Sequence, residues 1–133
     1  MPLVQLTYAS RPFGFDEAVL GTILLDARRC NTRDGITGTL IVRQDLFLQL
    51  LEGPPEVVDA AYNRIARDDR HINVQRLTRR DVSERLFAEW AMRHDPARSW
   101  MWSMDEVADG AVQQATEAEI MQVFERLRHE PAE

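Results

Sequence analysis

The sequence predicts an α+β fold in which two helices pack on one face of a mainly antiparallel sheet. Three observations predict it: a β-rich hairpin in the middle of the chain, an amphipathic helix on each side of that hairpin, and further β-rich runs at both ends of this unit. With 133 residues, of which 44% are hydrophobic, the chain can fill one core. We therefore expect no second independent domain.

The first strand and the first helix occupy the beginning of the chain. Residues 3–9 alternate partly between apolar and polar side chains and end at a turn, which is typical of a strand. Asp16 is a candidate N-cap, and residues 31–35 supply a helix stop. Between them, apolar residues recur at helical spacing: Val19, Leu20, Ile23, Leu24 and Ala27.

The central hairpin and the second helix follow. Residues 36–42 and 46–51 are β-rich and are joined by a connection of three residues, so they should pair antiparallel. Pro54 and Pro55 then open a helix that runs out near residues 67–70. Two further strands are expected near 74–79 and 90–93. The resulting order, βαββαβ(β), is ferredoxin-like.

The last part of the chain predicts a helical tail. After Pro96 the composition changes, with tryptophans and methionines close together from Trp100 onwards. Thr116 and Glu119 form a capping box for a helix with apolar residues at 120, 123, 124 and 127. We therefore divide the chain into a domain of residues 1–96 and a C-terminal helical extension of residues 97–133, which packs on the sheet or contacts a partner.

Composition excludes several functional classes. The net charge of −6 argues against general nucleic-acid binding, which depends on excess positive charge. One cysteine and three histidines leave no internal disulfide and few metal ligands, so we expect no metal. The longest apolar run is far too short to cross a bilayer, and no basic leader opens the chain. We expect a cytoplasmic protein that binds no membrane.

Two polar residues stand inside strands that are otherwise apolar. Gln49 lies in the second strand of the hairpin, where alternation could instead send it to the solvent face with Phe47 and Leu51. Tyr8 lies in the first strand, and its ring could pack while its hydroxyl reaches the edge. If both point inward on adjacent strands, the phenol and the amide lie within hydrogen-bonding reach.

A third group of polar residues is expected at the ends of the two helices. Asn31 closes the first helix, where asparagine in a left-handed conformation is a common cap. Arg64, Asp68, Arg70 and His71 lie late in the second. A planar ligand between the helices could touch both groups.

Five ordered blocks of the sequence resemble the BLUF family, the blue-light sensors that use flavin adenine dinucleotide. The resemblance covers about residues 3–95 and keeps the family's order and spacing. The blocks are Leu6-Thr7-Tyr8-Ala9-Ser10; Asn31 with Gly35-Ile36-Thr37-Gly38-Thr39-Leu40; Phe47-Leu48-Gln49-Leu50-Leu51-Glu52-Gly53; Tyr62-Asn63-Arg64-Ile65 with Asp68 and Arg70-His71; and Arg85-Leu86-Phe87-Ala88-Glu89-Trp90-Ala91-Met92.

The resemblance implies a role for each matching residue. Tyr8 corresponds to the photoactive tyrosine and Gln49 to the switching glutamine, with FAD bound non-covalently between the helices. Trp90 and Met92 correspond to the last-strand pair that relays the signal. The other implied flavin contacts are Ile23 on the ring, Asn31 at its polar edge, and Arg64, Asp68, Arg70 and His71 on the ribityl and phosphate side. Cys30 departs from the family, which often has asparagine there.

The resemblance also implies a receptor without catalysis of its own. Its signal would pass to an unidentified effector protein through the C-terminal extension, or to a change of homo-oligomer. One rival is a flavin-free interaction module of the same fold. Yellow colour in the purified protein would distinguish the flavin-binding receptor from this module. The other is a small ferredoxin-like hydrolase, for which the sequence offers no nucleophile and base pair and no glycine-rich phosphate loop.

Overall fold

A computed structural model of the chain describes residues 2–14 and 16–131. It confirms the α+β class, with two helices packed on a five-stranded sheet and helices at the C-terminal end. In chain order the elements are β1 (Leu3–Pro12), α1 (Glu17–Asp34), β2 (Thr37–Arg43), β3 (Leu46–Gly53), α2 (Pro55–Ala66), β4 (His71–Val82), β5 (Arg93–Pro96), α3 (Met104–Ala108), α4 (Ala111–Gln114) and α5 (Glu117–Arg128).

The sheet has the strand order β4-β1-β3-β2-β5. All neighbours are antiparallel except β2 and β5, which are parallel. The central position of β3 places it between the first strand and its own hairpin partner. Residue 49 therefore lies directly opposite residue 8 across the β1–β3 ladder.

Both faces of the sheet are covered, which is why every residue of β3 is buried. Odd-numbered residues of β3, such as Phe47 and Leu51, lie in a core with α1 and α2. The even-numbered Leu48 and Leu50 lie in a second core with α4 and α5. Since successive side chains of a strand point to opposite faces, Gln49 faces α1 and α2.

The ends of α1 differ in part from the prediction. Asp16 caps its start as expected, because its carboxylate accepts a hydrogen bond from Ala18 N at 2.7 Å. The prediction that Asn31 is a left-handed cap is wrong: Asn31 lies inside α1, and Gly35, with φ of 71°, ends the helix. Glycine adopts this conformation without a Cβ clash, so the helix continues past Asn31 to it.

The last two strands also differ from their predicted limits. β4 spans residues 71–82 and pairs with β1 along most of its length. The strand expected near 90–93 begins only at Arg93. Its predecessors Ala91 and Met92 direct their carbonyls to side chains of α1 instead of to a neighbouring strand.

Gly38 marks a close approach between β2 and β3. A Cβ at this position would lie 1.9 Å from the Leu50 carbonyl oxygen. The amide of Gly38 donates to the Trp90 carbonyl oxygen at 3.0 Å, which fixes the segment leading into β5. Only glycine allows both the ladder and this contact.

The C-terminal helices lie on the face of the sheet opposite α1 and α2. Thr116 and Glu119 form the expected capping box at the start of α5. A second capping box, between Ser103 and Glu106, starts α3 and was not predicted. Ile120, Phe124 and Leu127 of α5 are buried against β2 and β3. In the described part of the chain, the helices fall short of the length and apolarity needed to span a membrane.

Candidate functional site

A cavity of about 240 Å³ lies between α1 and α2 above the sheet. Its lining is mostly apolar with a few convergent polar groups, the composition typical of small-molecule sites, although the volume is below the usual range of about 300–1,000 Å³. All eight residues that the resemblance assigns to the cofactor line it. They are Tyr8, Ile23, Asn31, Gln49, Arg64, Asp68, Arg70 and His71.

Tyr8 and Gln49 form a hydrogen-bonded pair in the floor of this cavity. Each side chain is only 3% exposed, and the Tyr8 hydroxyl donates to Gln49 Oε1. The alternative that Gln49 faces solvent with Phe47 and Leu51 is wrong, because all three face the covered side of the sheet. Gln49 Nε2 in turn donates to Met92 Sδ at 3.2 Å. One amide thus joins a phenol on β1 to a thioether just before β5.

The Tyr8 hydroxyl is protonated throughout the ordinary pH range. Burial raises its pKa well above the usual value of 10.0, and the negative charge of Asp68 raises it further. Its ring packs against Tyr62 at 5.9 Å and against the edge of the His71 ring at 6.1 Å, between ring centroids. The hydroxyl therefore acts as a donor held in one direction.

The two residues expected to relay the signal have different environments. Met92 is buried and contacts Gln49. Trp90 is 39% exposed, and its ring packs over the Arg93 guanidinium at 5.9 Å instead of lining the cavity. The structure therefore has the methionine, and not the tryptophan, against the glutamine. Neither belongs to β5, which begins one residue after Met92.

Two side chains of α1 hold the backbone next to Met92. Asn31 is buried, and its Nδ2 donates to the Ala91 carbonyl oxygen at 2.8 Å. Arg28 Nε donates to the Met92 carbonyl oxygen at 3.0 Å. The backbone at Ala91 and Met92 is consequently positioned by α1 through contacts between residues that are 60 or more apart in sequence.

The opposite end of the cavity carries charged side chains. Arg70 pairs with Asp68 beside it and reaches α1, where it lies 3.1 Å from an oxygen of Asp26. Hydrogen bonds from Arg70 hold the pKa of Asp68 below its usual range, so Asp68 is ionised at neutral pH. Arg29 and Arg64 also line the cavity. Guanidinium groups suit bidentate binding of phosphate.

The expectation that Asp68, Arg70 and His71 lie late in the second helix is wrong, because α2 ends at Ala66. Asp68 and Arg70 lie in the following turn, and His71 is the first residue of β4. The helix therefore ends before the polar run 67–70, although its charged residues were expected to lie in the last part of the helix. Hydrogen bonds of 2.7 Å join the two ring nitrogens of His71 to Ser10 Oγ and to the Ile65 carbonyl oxygen.

Several lining residues were not predicted from the sequence. Asp26 follows Ile23 at a spacing of three, so the face of α1 that carries Ile23 would have indicated it, whereas Arg29, six positions after Ile23, lies off that face and had no such signal. Phe47 shares the parity of Gln49 and was available from strand alternation. Cys30 lines the cavity next to Asn31. Within residues 2–14 and 16–131, no cluster of three or more metal-ligating side chains is present.

Comparison with known protein families gives one family match. The family model "BLUF: Sensors of blue-light using FAD" matches residues 3–93, which include the full lining of the cavity.

Curated proteins are also similar to the chain in sequence. The beta subunit of the photoactivated adenylate cyclase of Euglena gracilis is 38% identical over 94 residues, which are 68% of this chain and 11% of that protein. The blue light- and temperature-regulated antirepressor BluF of Escherichia coli strain K12 is 43% identical over 51 residues, which are 38% of this chain and 13% of that one. The chain spans about a tenth of the length of the cyclase subunits that it matches.

Solved structures resemble the whole chain, including its C-terminal helices. The photo-activated state of BlsA has a TM-score of 0.81 at 27% identity and covers 98% of both chains. The dark-state structure of BlrB, a BLUF protein, has a TM-score of 0.76 at 28% identity and covers 93% of this chain and 92% of that one.

Proposed function

Because the chain belongs to the BLUF family of blue-light sensors, we propose that it is a photoreceptor that holds FAD non-covalently in the cavity between α1 and α2. The chain is a flavin-binding sensor module and not an enzyme. The cyclase activity in the names of some relatives belongs to proteins of which this chain matches about a tenth.

The observation that carries the proposal is the hydrogen-bonded line from Tyr8 through Gln49 to Met92. Gln49 uses its oxygen for the phenol and its nitrogen for a thioether, which is a weak acceptor. A stronger acceptor placed in the cavity would compete for that nitrogen at little cost. The line is therefore suited to switching between two hydrogen-bonded arrangements.

The cavity residues fit a flavin by their chemistry. Ile23, Leu40, Phe47 and Leu51 supply apolar surface for a flat ring. The amides of Asn31 and Gln49 are buried and can bond the polar edge of such a ring. At the other end, Arg64, Asp68, Arg70 and His71 would meet the ribityl chain and the phosphates. FAD is the flavin that the family description names.

The mechanism follows from the donors and acceptors of these side chains. The bound flavin supplies blue-light absorption and, when excited, a strong oxidant. Tyr8 would pass an electron to that oxidant and its hydroxyl proton to Gln49 Oε1, which accepts the Tyr8 hydrogen bond. When the electron and the proton return to Tyr8, the Gln49 amide would be left rotated or in its other tautomer. Its nitrogen would then be free to bond an acceptor of the bound ring, and its contact with Met92 would change.

The signal then leaves through the segment that contains Met92. We propose that a shift of this segment changes the packing of the C-terminal extension, residues 97–133. This change in packing then alters the binding of a separate effector protein or the state of a homo-oligomer. The cytoplasmic location expected from the sequence is part of the same proposal. The net charge of −6 gives no support for nucleic acid as the partner.

Absorption spectroscopy of the purified protein loaded with FAD tests this function. A blue flash should produce a small red shift of the flavin bands that reverses in the dark. Gln49→Leu, which removes both hydrogen bonds of the line and puts an apolar side chain of similar size in place of the amide, should bind flavin without the shift. A wild-type protein that takes up no flavin would instead support a flavin-free interaction module.

A further inference from the structure

Arg93 is a buried cation at the start of β5, directly after Met92. Its side chain is 5% exposed and is paired with the fully buried carboxylate of Asp95 at 3.0 Å. Its guanidinium also lies 5.7 Å from the centroid of the Phe87 ring and 5.9 Å from that of Trp90. The Arg93 guanidinium is therefore held from several sides, directly after the residue that contacts Gln49.

The same guanidinium reaches the end of α5. Arg93 Nη2 donates to the carbonyl oxygens of Leu127 and Glu130, which lie at or just beyond the last turn of α5. The Leu127 carbonyl lies in the last turn of α5, where carbonyls carry the negative end of the helix dipole, and it also accepts a hydrogen bond from Glu130 N at 2.9 Å. A cation at this position stabilises the helix end and fixes it relative to β5.

Asp95 holds this arrangement together. One of its oxygens accepts a hydrogen bond from Thr39 Oγ1 at 2.6 Å, and the other lies 3.1 Å from Arg98 Nη2. Arg98 and Trp100 both contact the Glu130 carboxylate. Asp95 is therefore held on β2 as well as by two arginines, and of these side chains only that of Arg93 belongs to the immediate chain neighbour of Met92.

A second arginine, Arg128, joins the end of α5 to the connection between β4 and β5. Arg128 Nε donates to the Leu86 carbonyl oxygen at 2.9 Å. Leu86 N is in turn held by the buried carboxylate of Glu52 on β3 at 2.8 Å. This connection ends on the rigid centre of the sheet and not on Met92, so it offers a matched comparison for Arg93.

We propose that Arg93 is a positioning residue that couples Met92, the hydrogen-bond partner of Gln49, to the C-terminal end of α5. The inference rests on the proposed photoreceptor function and specifies its output. When Gln49 changes its contact with Met92, the backbone shift moves Arg93 relative to the Leu127 and Glu130 carbonyls. The last turn of α5 then opens or tightens, while its apolar face remains on the sheet.

Hydrogen exchange in the dark and under continuous blue light tests this coupling in the full chain loaded with FAD. The variants are Arg93→Met, which removes every donor, and Arg93→Lys, which keeps the charge beside Asp95 but loses the planar fork. Arg128→Met is the matched control, since it also removes an arginine contact at the end of α5. The red shift of each sample is recorded alongside, so that photochemistry and coupling are read separately.

We expect the wild type to show a light-dependent change of exchange in the last two turns of α5. Both Arg93 variants should keep the red shift, but their light-dependent change of exchange should be at least about fivefold smaller than that of the wild type. Arg128→Met should keep the wild-type change of exchange. If Arg93→Met does not fold, Arg93→Lys decides. Any of three results would overturn the coupling. They are a folded Arg93 variant with the wild-type change of exchange, a loss of that change in Arg128→Met equal to the loss in the Arg93 variants, and a wild type whose absorption shifts without any change of exchange in α5. Absence of the red shift in the wild type would instead overturn the photoreceptor function itself.

Discussion

Tyr8 and Gln49 show how a buried polar pair can indicate function. An amide in an apolar strand costs free energy unless it finds partners, and both partners of Gln49 lie far away in sequence, 41 and 43 residues from it. Strand alternation alone left both an inward and an outward orientation open for Gln49. The structure decides for the inward one because α1 and α2 cover the face of the sheet that carries Gln49.

At the residue scale, the buried Tyr8 hydroxyl predicts a specific loss of stability in alkali. Its pKa is raised in the folded protein, so the unfolded chain releases this proton first as the pH rises above about 10. Its contribution is thus fully present below pH 10 and lost above it. As the pH rises through this window, the free energy of unfolding should fall less steeply in Tyr8→Phe than in the wild type. The difference in slope should be up to about 1.4 kcal/mol per pH unit. Urea denaturation between pH 9 and about 11.5 measures both slopes; equal slopes for the two proteins would contradict a buried, protonated phenol.

Cys30 gives a second prediction at this scale. Its thiol lines the cavity beside Asn31 and is a weak hydrogen-bond former. Cys30→Asn should tighten FAD binding by about two- to tenfold, the equivalent of one net hydrogen bond, whereas Cys30→Ala should leave it nearly unchanged. Titration of FAD by its fluorescence measures the three affinities. Equal affinity in the asparagine and alanine variants would mean that residue 30 does not meet the polar edge of the flavin.

The elements were predictable where their signals are local. The hairpin of β2 and β3, the Asp16 cap of α1 and the Thr116 capping box of α5 depend on residues close in sequence, and the structure has all of them. The start of β5 was not predictable in this way. Carbonyls of the segment before it are taken by Asn31 and Arg28, some 60 residues away, so the sequence pattern around Trp90 suggested a strand that forms only from Arg93.

The candidate site follows the same division. Family resemblance brought together the eight cavity residues, but the local pattern misplaced Asn31 as a cap and Asp68 and Arg70 as parts of α2. Helix ends depend on which carbonyl and amide groups find partners, and those partners are fixed only in the folded chain. The contact of Arg93 with the end of α5 left no trace in the sequence pattern.

At the element scale, α5 should contribute to the stability of the whole sheet. Phe124 is fully buried between α5 and the sheet, in one core with Leu48 and Leu50. Phe124→Ala should lower the free energy of unfolding by about 3–5 kcal/mol, because it removes a buried ring and leaves a cavity. The exposed Glu125→Ala on the same helix should change it by less than about 0.5 kcal/mol. Chemical denaturation compares them, and a cost for Phe124→Ala as small as the control's would mean that α5 does not pack on the sheet in solution.

For the whole molecule, the cavity links flavin binding to folding. The residues that line it come from α1, α2, the turn after α2 and four of the five strands, so a flavin bound there would contact both helices and most of the sheet. A ligand that binds only the folded state raises the stability of that state by mass action. Thermal stability of the entire chain should therefore report on the occupancy of the cavity.

This linkage gives a prediction at the scale of the whole molecule. FAD at a hundredfold excess over its Kd should raise the free energy of unfolding by about 2.7 kcal/mol and the Tm by roughly 10 °C. AMP, which has the adenine and one phosphate but no flavin ring, should leave the Tm nearly unchanged. Differential scanning calorimetry with each ligand makes the comparison. A shift with AMP as large as that with FAD would place recognition at the phosphate end instead of at the ring.

The central claim, that Gln49 switches between Met92 and the flavin, is tested most directly by infrared difference spectroscopy with and without blue light. In the wild type loaded with FAD, the flavin carbonyl stretch should move to lower frequency after illumination, because the Gln49 amide then donates to that carbonyl, and it should return in the dark. Gln49→Leu should bind flavin and show no such change. A carbonyl shift that persists in Gln49→Leu, or a red-shifted wild type whose carbonyl band stays in place, would contradict the account.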